Sequence, residues 1–215
     1  MKYKGVAFDF DGVILDSEIA VIDCWKIVAE EKGIPDIEEY CRSVIGLDIV
    51  NSKKKFDERY KGEFSYEDNR LLRKEVFMQR FFEGKIPLKK NVREILMFLK
   101  EKDIKVSLAT STYSETIRKE IEFLDIDKYF DELVCGDMVK NGKPHPEIYL
   151  TAAKRLGLEP DEVIGVEDSY NGVKSSKTAG LYTVMVPDLL VPTGDIMEFV
   201  DVIYEDVREI KNIFV

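Results

Sequence analysis

The chain has 215 residues, a formal net charge of −10, and 45% apolar against 34% charged residues, the balance of a folded globular protein with room for one large domain or for a core with a smaller insertion. The excess of carboxylates argues against nucleic acid and anionic membrane surfaces as partners, since both want clustered Lys and Arg. No stretch approaches the ~20 apolar residues of a membrane span, and Cys24, Cys41 and Cys135 form no C-x-x-C pair, so reduced thiols, a cytoplasmic location and a monomer are expected.

Val6, Ala7, Phe8 and Phe10 predict a short buried strand. Successive strand side chains point to opposite faces, so Asp9 and Asp11 are expected to project the same way. Two like charges on one face persist when a cation lies between them, or when one keeps its proton and can serve as an acid. Gly12 reads as a turn, and Asp16 and Ser17 as caps of the helix that follows.

From Ser17 to about Gly84 the apolar spacing is helical. Val21, Cys24, Trp25, Val28 and Ala29 mark one face of a helix that Gly33 and Pro35 stop, and further helices follow to Phe82. Short apolar runs then recur at Val106 to Ala109, Leu133 to Cys135, Val163 to Val166 and Thr183 to Val186. Helix-period segments separate them, among them Val92, Ile95, Leu96, Leu99 and Ile148, Tyr149, Ala152, Leu156. Strands alternating with amphipathic helices predict right-handed βαβ units and an α/β fold, a Rossmann-like doubly wound parallel sheet covered on both faces. The interval between the first two strands is too long for one crossover helix. The expected division is therefore a core of residues 1–16 and 87–215 with an inserted helical cap of residues 17–86.

In an open α/β sheet, ligands bind beyond the carboxyl ends of the strands. At those ends stand Asp9 and Asp11, then Thr110-Ser111-Thr112, then Glu167-Asp168-Ser169, while the loop Asn141-Gly142-Lys143-Pro144-His145-Pro146 brings a lysine. These residue types suit phosphoryl transfer. A carboxylate such as Asp9 can attack phosphorus and split one hard displacement into two easier ones. Asp11 can protonate the leaving oxygen and then deprotonate water. The hard oxygens of Asp9, Glu167 and Asp168 suit Mg²⁺, Thr110 and Ser111 can hold the non-transferring phosphate oxygens, and Lys143 can neutralise their charge. His145, the single histidine, reads as a loop residue at the margin of the site.

Taken together, these segments resemble the haloacid dehalogenase-like phosphohydrolase superfamily. Asp9-Phe10-Asp11-Gly12 is similar to its first motif, Thr110 to the second, Lys143 to the third and Glu167-Asp168 to the fourth. The resemblance implies Asp9 as nucleophile, Asp11 as acid/base, and the main-chain carbonyl of Asp11 as a further magnesium ligand. Gly142 to Tyr149 and Gly165 to Ser169 are especially similar to the beta-phosphoglucomutase-like branch, in which a helical cap governs specificity. The expected function is a Mg²⁺-dependent phosphatase acting on a small phosphorylated metabolite, sugar phosphates included. The alternative is a phosphosugar mutase. Against it, Val21, Ile45 and Ile49 stand where mutases of that branch carry a histidine, a lysine and an arginine, although Arg42, Arg70, Arg73 or Lys74 could still meet a second phosphate. Gly46, in the cap loop Val44 to Ile49, is the candidate substrate contact there. Haloacid dehalogenation is a poor third choice, and a non-catalytic binding protein would require an essential group to be missing.

Overall fold

A computed structural model describes residues 2–45, 47 and 49–214. In chain order its elements are β1 (Gly5–Phe8), α1 (Ser17–Lys32), α2 (Ile37–Ser43), α3 (Ile49–Tyr60), α4 (Tyr66–Phe82), α5 (Val92–Glu101), β2 (Lys105–Ala109), α6 (Ser114–Phe123), β3 (Glu132–Val134), α7 (Glu147–Leu156), β4 (Val163–Glu167), α8 (Tyr170–Thr178), β5 (Tyr182–Met185) and β6 (Val202–Ile203). The chain divides into two compact units, one of Met1–Leu15 with Leu88–Val215 and one of Asp16–Pro87. Among the described residues no helix is long and apolar enough to cross a membrane.

The first unit is a six-stranded sheet in the order β3-β2-β1-β4-β5-β6, and every neighbouring pair is parallel. Helix α7 packs on β1, β2 and β3, while α8 packs on β4 and β5. Every residue of β1 and β4 is buried, as a parallel strand flanked by helices requires. Phe8 pairs with Leu108 on one side and Val166 on the other, which brings the ends of β1, β2 and β4 level.

The first strand is shorter than its apolar run. It ends at Phe8, and the amides of Ile14 and Leu15 both bond back to the carbonyl of Phe10 at 2.9 Å. Phe10 is therefore buried in a turn, and strand alternation does not place Asp9 and Asp11. Asp16 takes the N-cap position of α1 but makes no side-chain capping bond. Gly33 ends that helix in the left-handed conformation at φ 70°, a backbone setting that glycine adopts without steric cost.

The helical unit folds around aromatic rings. Tyr40 and Phe56 meet edge-to-face at 5.1 Å, the tilted rings of Phe56 and Tyr60 lie 4.5 Å apart, and Trp25 lies 6.0 Å from Phe56 and 6.2 Å from Tyr66. Such pairs each add ~0.5–1.5 kcal/mol beyond the area they bury. Cys24, Cys41 and Cys135 are buried and unpaired, and burial pushes the Cys135 thiol up to about 11, so none is poised as a nucleophile.

Candidate active site

Asp9 follows β1 directly, and its amide extends the sheet ladder by one bond to the carbonyl of Val166 at 2.9 Å. Its carboxylate therefore emerges beside Glu167, the last residue of β4. Lys143 joins the two, with Nζ 2.6 Å from Asp9 Oδ1 and 2.5 Å from Glu167 Oε1. Glu167 is wholly buried, and Asp9 and Asp168 nearly so. Ligand oxygens of Asp9, Glu167 and Asp168 all lie within 4.8 Å of one another.

Three carboxylates against one ammonium leave this buried cluster with surplus negative charge. Burial, with Glu167 and Asp11 adding to it against the pull of Lys143, pushes Asp9 up to about 7. Burial alone would lower Lys143, yet the charges of Asp9 and Glu167 hold it above its usual range, so it stays an ammonium. An all-oxygen donor set with uncompensated charge fits a hard divalent cation such as Mg²⁺. The surrounding backbone leaves space for these carboxylates: a β-carbon on Gly12 would lie 2.2 Å from Asp168 Oδ2, and one on Gly172 would lie 1.9 Å from the carboxyl carbon of Glu167.

The lysine loop is clamped at both ends. Lys140 and Asn141 donate their amides to the carboxylate of Glu147 at 2.9 and 3.1 Å. Ser175 donates to the carbonyl of His145 at 2.7 Å, and the His145 amide bonds Gly142 at 3.0 Å. His145 itself is exposed, its Nδ1 accepting from the Glu147 amide.

Asp11 keeps separate company. Its Oδ2 accepts from the hydroxyl of Thr112 at 2.9 Å, so the two aspartates of the turn face different partners. Thr110, nearly fully buried at the end of β2, uses its hydroxyl oxygen to accept the amide of Thr112 at 3.1 Å. Ser111 is exposed beside it. Gly46 lies outside the described residues.

Three further residues complete the arrangement. Tyr149 donates to Glu167 Oε1 at 2.7 Å, Ser169 to Glu167 Oε2 at 3.2 Å, and Thr112 fixes Asp11. In sequence, Tyr149 reads as one more apolar position of a helix stripe. Its signal is that a fully buried tyrosine, unlike phenylalanine, needs a hydrogen-bond partner.

The family model described as "Haloacid dehalogenase-like hydrolase" matches residues 6–186. A Thermotoga maritima protein named phosphorylated carbohydrates phosphatase is 38% identical over 191 residues, which cover 83% of this chain and 82% of that one. A beta-phosphoglucomutase of Bacillus subtilis is 30% identical over 196 residues, 85% of this chain and 83% of its own. Among solved structures, a Thermotoga maritima protein provisionally titled a beta-phosphoglucomutase matches with a TM-score of 0.82 at 35% identity, over 98% of both chains.

Proposed function

The chain belongs to the haloacid dehalogenase-like hydrolases, and on that premise we propose that it is a phosphatase of small phosphomonoesters, phosphorylated carbohydrates among them, working through a phosphorylated Asp9. The observation that carries the reading is the Lys143 ammonium held within 2.6 Å of Asp9 and 2.5 Å of Glu167. A nucleophilic carboxylate, a fixed cation and two further carboxylates thus converge at the carboxyl ends of β1 and β4.

In the first half-reaction a carboxylate oxygen of Asp9 attacks phosphorus and the bond to the leaving oxygen breaks, while Asp11 gives that oxygen a proton. In the second, Asp11 takes a proton from water as the water attacks the acyl phosphate, which releases inorganic phosphate and restores Asp9. The Thr112 hydroxyl holds Asp11 during both transfers. Lys143 offsets the charge on the phosphoryl oxygens, and Thr110 and Ser111, at the end of β2, hold the oxygens that do not transfer. Asp9, Glu167, Asp168 and the main-chain carbonyl of Asp11 would hold Mg²⁺, which lets an anionic ester approach an anionic nucleophile. We assign substrate choice to the helical unit, Asp16–Pro87.

A mutase is the second reading, and the Bacillus subtilis relative favours it. Against it stand Val21, Ile45 and Ile49, which offer neither a base nor cations for a second phosphate. Phosphorus-31 NMR of the purified protein with Mg²⁺ and a panel of hexose and pentose phosphates separates the two. Inorganic phosphate that disappears with Asp9→Asn is the expected result. Conversion of β-glucose 1-phosphate to glucose 6-phosphate would overturn it in favour of the mutase.

A further inference from the structure

We propose that Tyr149 is a positioning residue of this site: its hydroxyl occupies one lone pair of Glu167 Oε1 and so leaves Oε2 as the oxygen presented to a divalent cation. Each carboxylate oxygen offers two acceptor sites. On Oε1 both are taken, one by Lys143 at 2.5 Å and one by Tyr149 at 2.7 Å. Oε2 accepts from a single side chain among the described residues, Ser169, at the longer distance of 3.2 Å. The backbone of α8 lies against the same carboxyl group: a β-carbon on Gly172 would stand 2.0 Å from Oε1 and 2.0 Å from Oε2.

Tyr149 holds the lysine as well as the glutamate. Lys143 Nζ lies 5.3 Å from the centroid of its ring, within reach of a cation–π attraction. Because Tyr149 is wholly buried and sits in α7, whose first turn anchors the Lys143 loop through Glu147, one side chain sets both members of the ion pair. A phenylalanine would keep the packing and the ring face but not the hydrogen bond to Oε1.

This role rests on the phosphatase reading above, so its test includes a readout independent of turnover. Tyr149→Phe preserves shape and is expected to melt within a few degrees of the parent. Mn²⁺ alone, titrated by electron paramagnetic resonance, should bind roughly tenfold more weakly to the variant, the range for loss of a group that orients a metal ligand. With the substrate found by NMR, kcat should fall at limiting metal and recover at excess metal, with KM for the ester changed less than about twofold. Unchanged Mn²⁺ affinity, or losses that only follow a lowered melting temperature, would overturn the proposal. Absence of turnover in the parent would instead overturn the phosphatase reading, and the Mn²⁺ comparison would still decide the role of Tyr149.

Discussion

Buried tyrosines are used in opposite ways by the two units. In the helical unit Tyr40 donates to the main-chain carbonyl of Ser52 at 3.1 Å, and Tyr60 donates to that of Pro35 at 3.0 Å. In the α/β unit Tyr149 donates to a buried carboxylate. The charges follow the same division. Ion pairs of the helical unit, such as Lys26 with Glu38 and Arg59 with Glu39, lie on its surface, whereas Lys143, Asp9 and Glu167 pair in the interior. Polar groups of the helical unit secure a shape that aromatic packing already defines. Those of the α/β unit hold ionised groups away from water, where electrostatic interactions are strong and an unpaired charge is costly.

Substitutions in each unit test this division. The largest effect is expected from Lys143→Met, which strands two buried carboxylates: turnover should drop by about 10³-fold and stability by about 3–5 kcal/mol, read from phosphate release and chemical denaturation. Phe56→Ala in the helical unit should cost a similar ~3–5 kcal/mol through cavity formation while leaving Mn²⁺ affinity as it was. A weakened metal site in that variant would break the separation between the units. Gly172→Ala forces a β-carbon onto Glu167 and should weaken Mn²⁺ binding about tenfold, with a loss of ~1–3 kcal/mol from overpacking.

Glu120 gives a smaller effect that appears in the pH dependence of stability. It is buried on the inner face of α6, where burial, with the charge of Asp11 added, pushes its acid up to about 8 from the usual 4.5. Between those values the folded state binds more protons than the unfolded, so stability falls as pH rises and levels off above about 8. In EDTA, Glu120→Gln should flatten that slope, by roughly a few kcal/mol across the range at most; an unchanged slope would show that Glu120 ionises without cost. Least of all should follow from Lys26→Met, whose partner is an exposed glutamate, and the melting temperature should hardly move.

Asp9, Glu167 and Asp168 are legible in the sequence as candidates because carboxylates interrupt or follow buried apolar runs, and Lys143 because Gly142 and Pro144 flank it in a loop. The alternation of strands and helices, and the excess of helix after the first strand, is legible because hydrophobic spacing reports burial directly. It does not report backbone conformation, which is why Phe10 extends the apolar run past the end of β1. Tyr149 and Gly172 escape because their roles depend on contacts across elements. One reads as a core aromatic, and the other as an unfavourable glycine in a helix, until Glu167 is placed between them. The substrate escapes too, because side chains of the helical unit such as Trp25 and Phe56 reveal packing and no chemistry.

The proposed mechanism requires a phosphorylated Asp9. Borohydride quenching of the protein during turnover, followed by mass spectrometry of the peptide that carries Asp9, tests it most directly, because an aspartyl phosphate is reduced to homoserine and a free carboxylate is not. Homoserine is expected at position 9 only when Mg²⁺ and a hydrolysed substrate are both present. Steady release of phosphate with Asp9 recovered unmodified would contradict that mechanism.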